Sequence, residues 1–239
     1  KNARRVLVDG NVFENNWVDG QNGTAILFTV RNQEGTAPWS AVEDVTFSNN
    51  ILRHTAAAIN ILGRDNNHPS EQAKRIKIRN NLFVDVNGRD WGGGNGVFLT
   101  ITESLDVTVD HNTVIHSGNI ITAYGQPNTN FIFNNNLTAH NAFGIIGDGT
   151  GSGLLTLERY FPEITFKKNV IAGAASSRYP DKKNFYPPSL DSVGFIDKDN
   201  GNYRLSGASP FRNQSTKSKD IGADFDAIEQ ATGVIFAKD

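Results

Sequence analysis

Val45-Thr-Phe-Ser-Asn-Asn50-Ile-Leu52 and Ile76-Lys-Ile-Arg-Asn-Asn81-Leu-Phe83 carry one pattern. Two apolar residues flank a single position, two mostly polar residues follow, then Asn, then a mostly apolar pair. Four further stretches repeat it: Val6-Leu-Val-Asp-Gly-Asn11-Val-Phe13, Val107-Thr-Val-Asp-His-Asn112-Thr-Val114, Phe131-Ile-Phe-Asn-Asn-Asn136-Leu-Thr138 and Ile164-Thr-Phe-Lys-Lys-Asn169-Val-Ile171. The steps between successive Asn residues are 39, 31, 31, 24 and 33. A unit that recurs with variable insertions predicts a solenoid whose loops differ from coil to coil.

Alternation at period two, as at Val45 and Phe47, marks a strand with one buried face. The apolar pair after each Asn starts a second short strand. A third apolar run follows at Thr24–Phe28, Ala58–Leu62, Gly96–Leu99, Ile120–Ile121 and Phe143–Ile146. Three short strands per unit, with no helical period between them, describe one turn of a parallel β-helix. Stacked coils lie about 4.8 Å apart, so equivalent residues superpose. Asn11, Asn50, Asn81, Asn112, Asn136 and Asn169 are therefore expected to form an internal amide ladder. Asn also tolerates the left-handed backbone of a tight corner.

The chain resembles the right-handed parallel β-helix proteins of the pectate-lyase-like superfamily, of the secreted bacterial β-helix-repeat type. The segments that carry the likeness include Glu14-Asn-Asn-Trp17, Ala37-Pro-Trp39, Ile59-Asn-Ile-Leu-Gly63, Trp91-Gly-Gly-Gly-Asn95, Thr108-Val-Asp-His-Asn112 and Lys219-Asp-Ile-Gly-Ala-Asp224. The resemblance implies an all-β, right-handed, single-stranded parallel β-helix of about six coils. It also implies a secreted or cell-surface location in a bacterium and a polysaccharide or cell-surface glycan as partner. It does not single out a reaction, because this fold hosts lyases, hydrolases, esterases, epimerases, tailspikes and inert stalks.

Composition narrows the classes. The 239 residues suit one β-helix domain, and a net charge of −2 leaves no nucleic-acid footprint. No apolar run approaches membrane-spanning length. With no cysteine, thiolate and disulfide chemistry are absent. The chain has no methionine and opens five residues before its first strand. We therefore expect either upstream β-helix coils or self-association at an open first coil.

Residues 1–173 are read as the coils and 174–239 as a closing segment of the same domain. Within the latter, 224–231 reads as a short helix ended by Gly233. Insertions at 29–43, 63–74 and 147–162 leave after the third strand, so they should share one side. A further insertion at 87–95 lies between second and third strands. Loops on a rigid scaffold are the usual seat of function.

Two constellations could carry chemistry. Four residues past successive ladder positions stand His54, Asp85 and His116. Stacked on consecutive coils, they would lie close enough to share a proton as an acid–base set; the competing reading is a polar column satisfied by backbone. The second gathers Arg31, Glu34, Trp39, Arg64, Asp65, His68 and Trp91. Loop aromatics flanked by charge suit a sugar, whose C–H faces stack on rings while its hydroxyls or carboxylates meet charge; alternatively the tryptophans pin their own loops. Arg75-Ile-Lys77 matches a hydrolase motif, but it falls in a strand block and is read as accidental. No metal ligand set or cofactor motif appears, and calcium would need a tighter cluster of acids than the chain offers. The expected activity is that of a carbohydrate-active or carbohydrate-binding β-helix, lyase- or glycosidase-like. The alternative is a non-catalytic spacer or adhesive module.

Overall fold

The computed structural model describes residues 1–93, 95–179 and 183–236. Gly94 of the 87–95 insertion, and 180–182 and 237–239 of the closing segment, lie outside the described residues.

Six coils follow the repeat. The first contains β1 (Ala3–Asp9), β2 (Val12–Glu14) and β3 (Thr24–Thr29), and the second β4 (Val42–Ser48), β5 (Ile51–Thr55) and β6 (Ala57–Leu62). The third has β7 (Lys74–Arg79), β8 (Leu82–Val86) and β9 (Leu99–Thr102), and the fourth β10 (Leu105–Asp110), β11 (Thr113–His116) and β12 (Ile121–Ala123). The fifth has β13 (Ile132–Asn134), β14 (Leu137–Ala139) and β15 (Ile145–Gly147), and the sixth β16 (Thr165–Lys167) and β17 (Val170–Ala172). Like strands stack in parallel: β1-β4-β7-β10-β13-β16 form the first sheet, β2-β5-β8-β11-β14-β17 the second and β3-β6-β9-β12-β15 the third. This is a parallel β-helix.

The register places Val45 on Ile76 and Phe47 on Ile78, so alternate residues of each strand fill the interior. There Phe47 meets Phe13, Phe28 and Phe83 at centroid distances of 5.7, 6.1 and 6.4 Å. Val, Ile and Phe suit this pleated wall.

The amide ladder forms as expected. Each Oδ1 accepts both the backbone N–H and the Nδ2–H of the rung before it. The distances are 2.9 and 3.1 Å at Asn50, 2.9 and 3.0 Å at Asn81, and 3.1 and 3.0 Å at Asn112. They are 3.0 and 3.0 Å at Asn136, then 3.0 and 3.2 Å at Asn169. The other Nδ2 hydrogen reaches a carbonyl of the preceding coil, at Val8, Phe47, Ile78, Val109 or Phe133. Each interior amide is thus satisfied, as burial demands. Asn184 is a seventh rung, accepting from Asn169 N–H and Nδ2–H at 2.9 Å each. Phe185 and Tyr186 follow it, but the stretch before it, Asp181-Lys-Lys183, lacks the apolar alternation that precedes the other six. The ladder Asn residues are not the left-handed ones. That conformation falls one residue earlier, at Gly10, Asn49, Asn80, His111, Asn135 and Lys168.

The second sheet has an apolar outer face as well, which explains the closing segment. Ile51, Leu82, Leu137 and Val170 point outward in register and would meet water on a bare solenoid. Phe185 first pairs with Val170 beneath the last coil. The chain then forms the antiparallel pair β18 (Phe195–Asp197) and β19 (Asn202–Leu205). A strap follows, running back over the second sheet. Phe211 and Ile221 cover Leu137 and Val170, while Tyr203, Phe225 and Ile228 cover Ile51 and Leu82. The strap is tied coil by coil: Thr216 N–H to Asn135 Oδ1 at 2.8 Å, Ala223 N–H to Thr113 Oγ1 at 2.9 Å and Asp224 N–H to Asn80 Oδ1 at 2.6 Å. Its terminal helix lies against Gly10, where a Cβ would meet Ala231 O at 2.5 Å. The segment therefore braces the solenoid from its last coil to its first, beyond the expected closure of the last coil alone. The expected helix is present at Phe225–Thr232, capped by Asp224 and ended by left-handed Gly233.

Candidate functional site

The corner between second and third sheets assembles part of the expected acid–base set. The next-to-last residues of β5 and β8, His54 (φ 55) and Asp85 (φ 53), are left-handed. Their neighbours pair in register, Arg53 with Val84 and Thr55 with Val86, which sets His54 over Asp85. His54 Nε2 lies 3.9 Å from Asp85 Oδ2, and each side chain is 38 % exposed. The 87–95 loop adds a third group. A one-turn helix, α1 (Gly88–Trp91), starts where Asn87 Oδ1 accepts the Arg89 N–H at 3.0 Å. It delivers Trp91, whose Nε1–H donates to Asp85 Oδ2 at 2.8 Å. The indole stacks on the His54 ring at 5.0 Å and 30°. Asp85 is thus fixed by an indole donor, and the imidazole is braced by an aromatic face.

His116 does not join them. Strand β11 has one residue fewer than β8 at this point: Val114 pairs with Phe83, but His116 pairs with Val86. A constant offset of four from the ladder Asn missed that slip. His116 therefore turns inward and is 7 % exposed. Its Nε2 faces Thr138 Oγ1 at 2.9 Å and Ala139 O at 3.0 Å. Burial pushes its pKa down to about 4, against the opposing pull of the Ala139 and Gly96 carbonyls. It is a neutral core imidazole.

The loop cluster separates into two places. Arg31, Glu34, Trp39, Arg64, Asp65 and His68 lie on loops between third and first sheets, whereas Trp91 stands with His54. At the former corner Asp65 knits the loops together. Its Oδ2 accepts Asn32 N–H at 2.7 Å, and its Oδ1 accepts Asn67 N–H at 2.8 Å and His68 N–H at 3.3 Å. Burial alone would raise its pKa, but these donors and Arg31 hold it below the ordinary carboxylate value. Arg31 Nη1 donates to Asn66 Oδ1 at 2.7 Å, and Arg64 Nη1 to Ser70 O at 2.7 Å. His68 packs near Gly35. These groups are engaged in loop structure, while Glu34 and Trp39 remain exposed, Trp39 at 68 %.

Two features escaped the sequence reading. Trp17 is 74 % exposed, on the first-coil loop that adjoins the Trp91 loop. Val18 and the Asn22 carbonyl sit so close to Gly92 and Gly93 that a Cβ on either glycine would come within 2.7 Å of them. The available signal was a tryptophan in an Asn/Gly-rich loop one corner position from Trp91. The second feature is a shallow groove of about 480 Å³ across the first sheet, floored by Lys77 and walled by Asp44, Arg75, Asp106 and Asn130. In the Arg75-Ile-Lys77 triplet only Ile76 is buried; Arg75 and Lys77 point outward. Arg75 clamps Asp44 through two bonds of 2.6 and 2.8 Å, and its own pKa is raised by that partner.

Among the described residues no group of three or more His, Cys, Asp or Glu converges as a metal site. No described helix is long and apolar enough to cross a membrane. The chain matches no protein-family model and no curated protein.

Proposed function

We propose that this chain is a secreted or cell-surface bacterial β-helix, pectate-lyase-like in kind, that engages a polysaccharide at the corner holding Trp17, Trp91, His54 and Asp85. The observation that carries this reading is the His54–Asp85–Trp91 trio. It joins an exposed imidazole, a carboxylate held by an indole N–H and an aromatic face in one place, with Trp17 on the adjoining loop. Tryptophan faces cover sugar C–H groups, and the flanking polar atoms take hydroxyls. A glycosidase uses two carboxylates flanking the bond; this trio offers one carboxylate and one imidazole. The chemistry it suits is β-elimination on a uronate. His54 Nε2 takes the proton beside the carboxylate, the C–O bond to the leaving sugar breaks, a C=C bond forms, and the leaving oxygen is protonated by solvent. Asp85 Oδ2 lies 3.9 Å from His54 Nε2, so its carboxylate faces the nitrogen that carries the proton in that step.

The test is incubation with a panel of uronic-acid polysaccharides, following ultraviolet absorbance for unsaturated ends, a reducing-sugar assay and direct binding. Unsaturated ends that vanish in His54→Gln, with binding weakened about tenfold in Trp17→Ala and Trp91→Ala, are the expected outcome. Absence of binding to every glycan sinks the proposal. Binding without unsaturated ends supports the second reading, a non-catalytic adhesive module.

A further inference from the structure

Removing the proton beside a uronate carboxylate sends the C–H electron pair into that carboxylate before the C–O bond breaks. Charge therefore builds on the carboxylate, and donors are needed where it builds. They must stand beside the base, because the carboxylate is bonded to the carbon that loses the proton. His54, Asp85 and Trp91 do not supply them. Asp85 presents oxygens, and the Trp91 indole N–H is already given to Asp85 Oδ2 at 2.8 Å.

The neighbouring column does. Strands β2 and β5 pair with Glu14 on Arg53, so Asn15 stands over His54 as His54 stands over Asp85. These three corner residues share the left-handed conformation, with φ of 57, 55 and 53°. Two columns thus run side by side, one residue apart along the strands: Glu14, Arg53 and Val84, then Asn15, His54 and Asp85. Of these six residues Arg53 alone carries a guanidinium or ammonium group. Its Nε donates to Glu14 Oε2 at 2.6 Å, and its side chain is 39 % exposed, open to a ligand. Nη1 and Nη2 have no hydrogen-bond partner among the described residues. A guanidinium anchored at Nε presents its terminal edge, where two parallel N–H bonds fit the two oxygens of a carboxylate.

We propose that Arg53 is the carboxylate-binding residue of this corner, held at Nε by Glu14, and that it makes the site select uronates over neutral sugars. The inference rests on the corner being a glycan site, as proposed above. It assigns the charge selection to the column beside His54 rather than to the basic side chains of the other loop corner, Arg31 and Arg64, which are engaged with Asn66 and Ser70.

The experiment titrates the whole chain with tetrasaccharides of galacturonate, mannuronate, guluronate and glucuronate, each as free acid and as methyl ester. The ester keeps the hydroxyls and removes the charge. Calorimetry gives the preference for acid over ester, and ultraviolet absorbance follows unsaturated ends. For at least one sugar the acid should bind about tenfold tighter than its ester. Arg53→Gln should equalise the two by weakening the acid, with the ester unaffected. His54→Gln should abolish unsaturated ends and keep the preference. Trp91→Ala should weaken acid and ester alike. Equal affinities in the wild type, or a preference that survives in Arg53→Gln, overturn the proposal and leave the glycan site standing. Binding of no sugar in either form removes the glycan site and the proposal together. An exposed ion pair adds little stability, so Arg53→Gln should fold. Should it not, Arg53→Lys keeps a charge for Glu14 but loses the fork, and an undiminished preference in that variant overturns the proposal equally.

Discussion

His116 and Val86 occupy the same register position on adjacent coils, so an imidazole fills a slot that the coil before it fills with an aliphatic side chain. A neutral ring is tolerated there, and a charged one is not. Above pH 7 the ring is neutral whether the chain is folded or not. As pH falls below the ordinary histidine value of about 6.5, the unfolded chain takes up a proton that the folded chain refuses until about pH 4. Stability therefore declines as pH drops through that window, by about 3 kcal/mol in all. Denaturant melts at pH 7, 5.5 and 4 should show the decline in the wild type and a shallower one in His116→Gln. An identical slope in both would refute the assignment.

Ladder substitutions should grade with position. Asn112→Ala removes an acceptor used by two donors of Asn81, and it takes the side-chain donor from Ile78 O and from Asn136 Oδ1, which keeps only the backbone N–H of residue 112. It should cost about 3–5 kcal/mol, since several buried polar groups lose partners at once. Asn11 is exposed at the first coil, and Asn11→Ala should cost less than about 1 kcal/mol. Equal losses in urea titrations would show that the ladder is not what holds the coils in register.

The strap should behave as part of the core. Ile228 is fully buried against the outward apolar row of the second sheet. Ile228→Ala is expected to cost about 2–4 kcal/mol. The loss should appear in the single unfolding transition of the whole solenoid. A separate early transition, with the coils unaffected, would mean the strap merely rests on them.

Gly63 lies directly against the backbone of the next coil. A Cβ there would lie 1.9 Å from Glu103 O and 2.2 Å from its carbonyl carbon, both backbone atoms. Gly63→Ala should cost more than about 3 kcal/mol or prevent folding. Gly201 has positive φ but open space around it, so Gly201→Ala should cost only about 1 kcal/mol, the strain of the left-handed backbone. Comparing the two melting temperatures checks the difference.

The coil was legible from residues because two local rules coincide. Period-two alternation marks which side chains face in, and an Asn after each first strand marks the corner; both act within about ten residues. The terminal helix was legible for a similar reason, with Asp224 and Gly233 in capping positions. Asn184 went unseen because its flanks carry no alternation. The candidate site was half legible. His54 and Asp85 share a column, but whether His116 continues it depended on one residue of strand length, which alternation leaves open.

From its sequence alone this chain is bound to wind into stacked coils, since only that arrangement buries six alternating strands and satisfies six recurrent amides together. The tertiary structure alone decided which loops adjoin, bringing Trp91 to His54 rather than to Asp65. It alone set His116 inside the wall, and it alone laid the strap along the second sheet. These outcomes depend on lateral packing between residues remote in the chain. One extra or missing residue turns a side chain from solvent to core, and no local pattern records that choice.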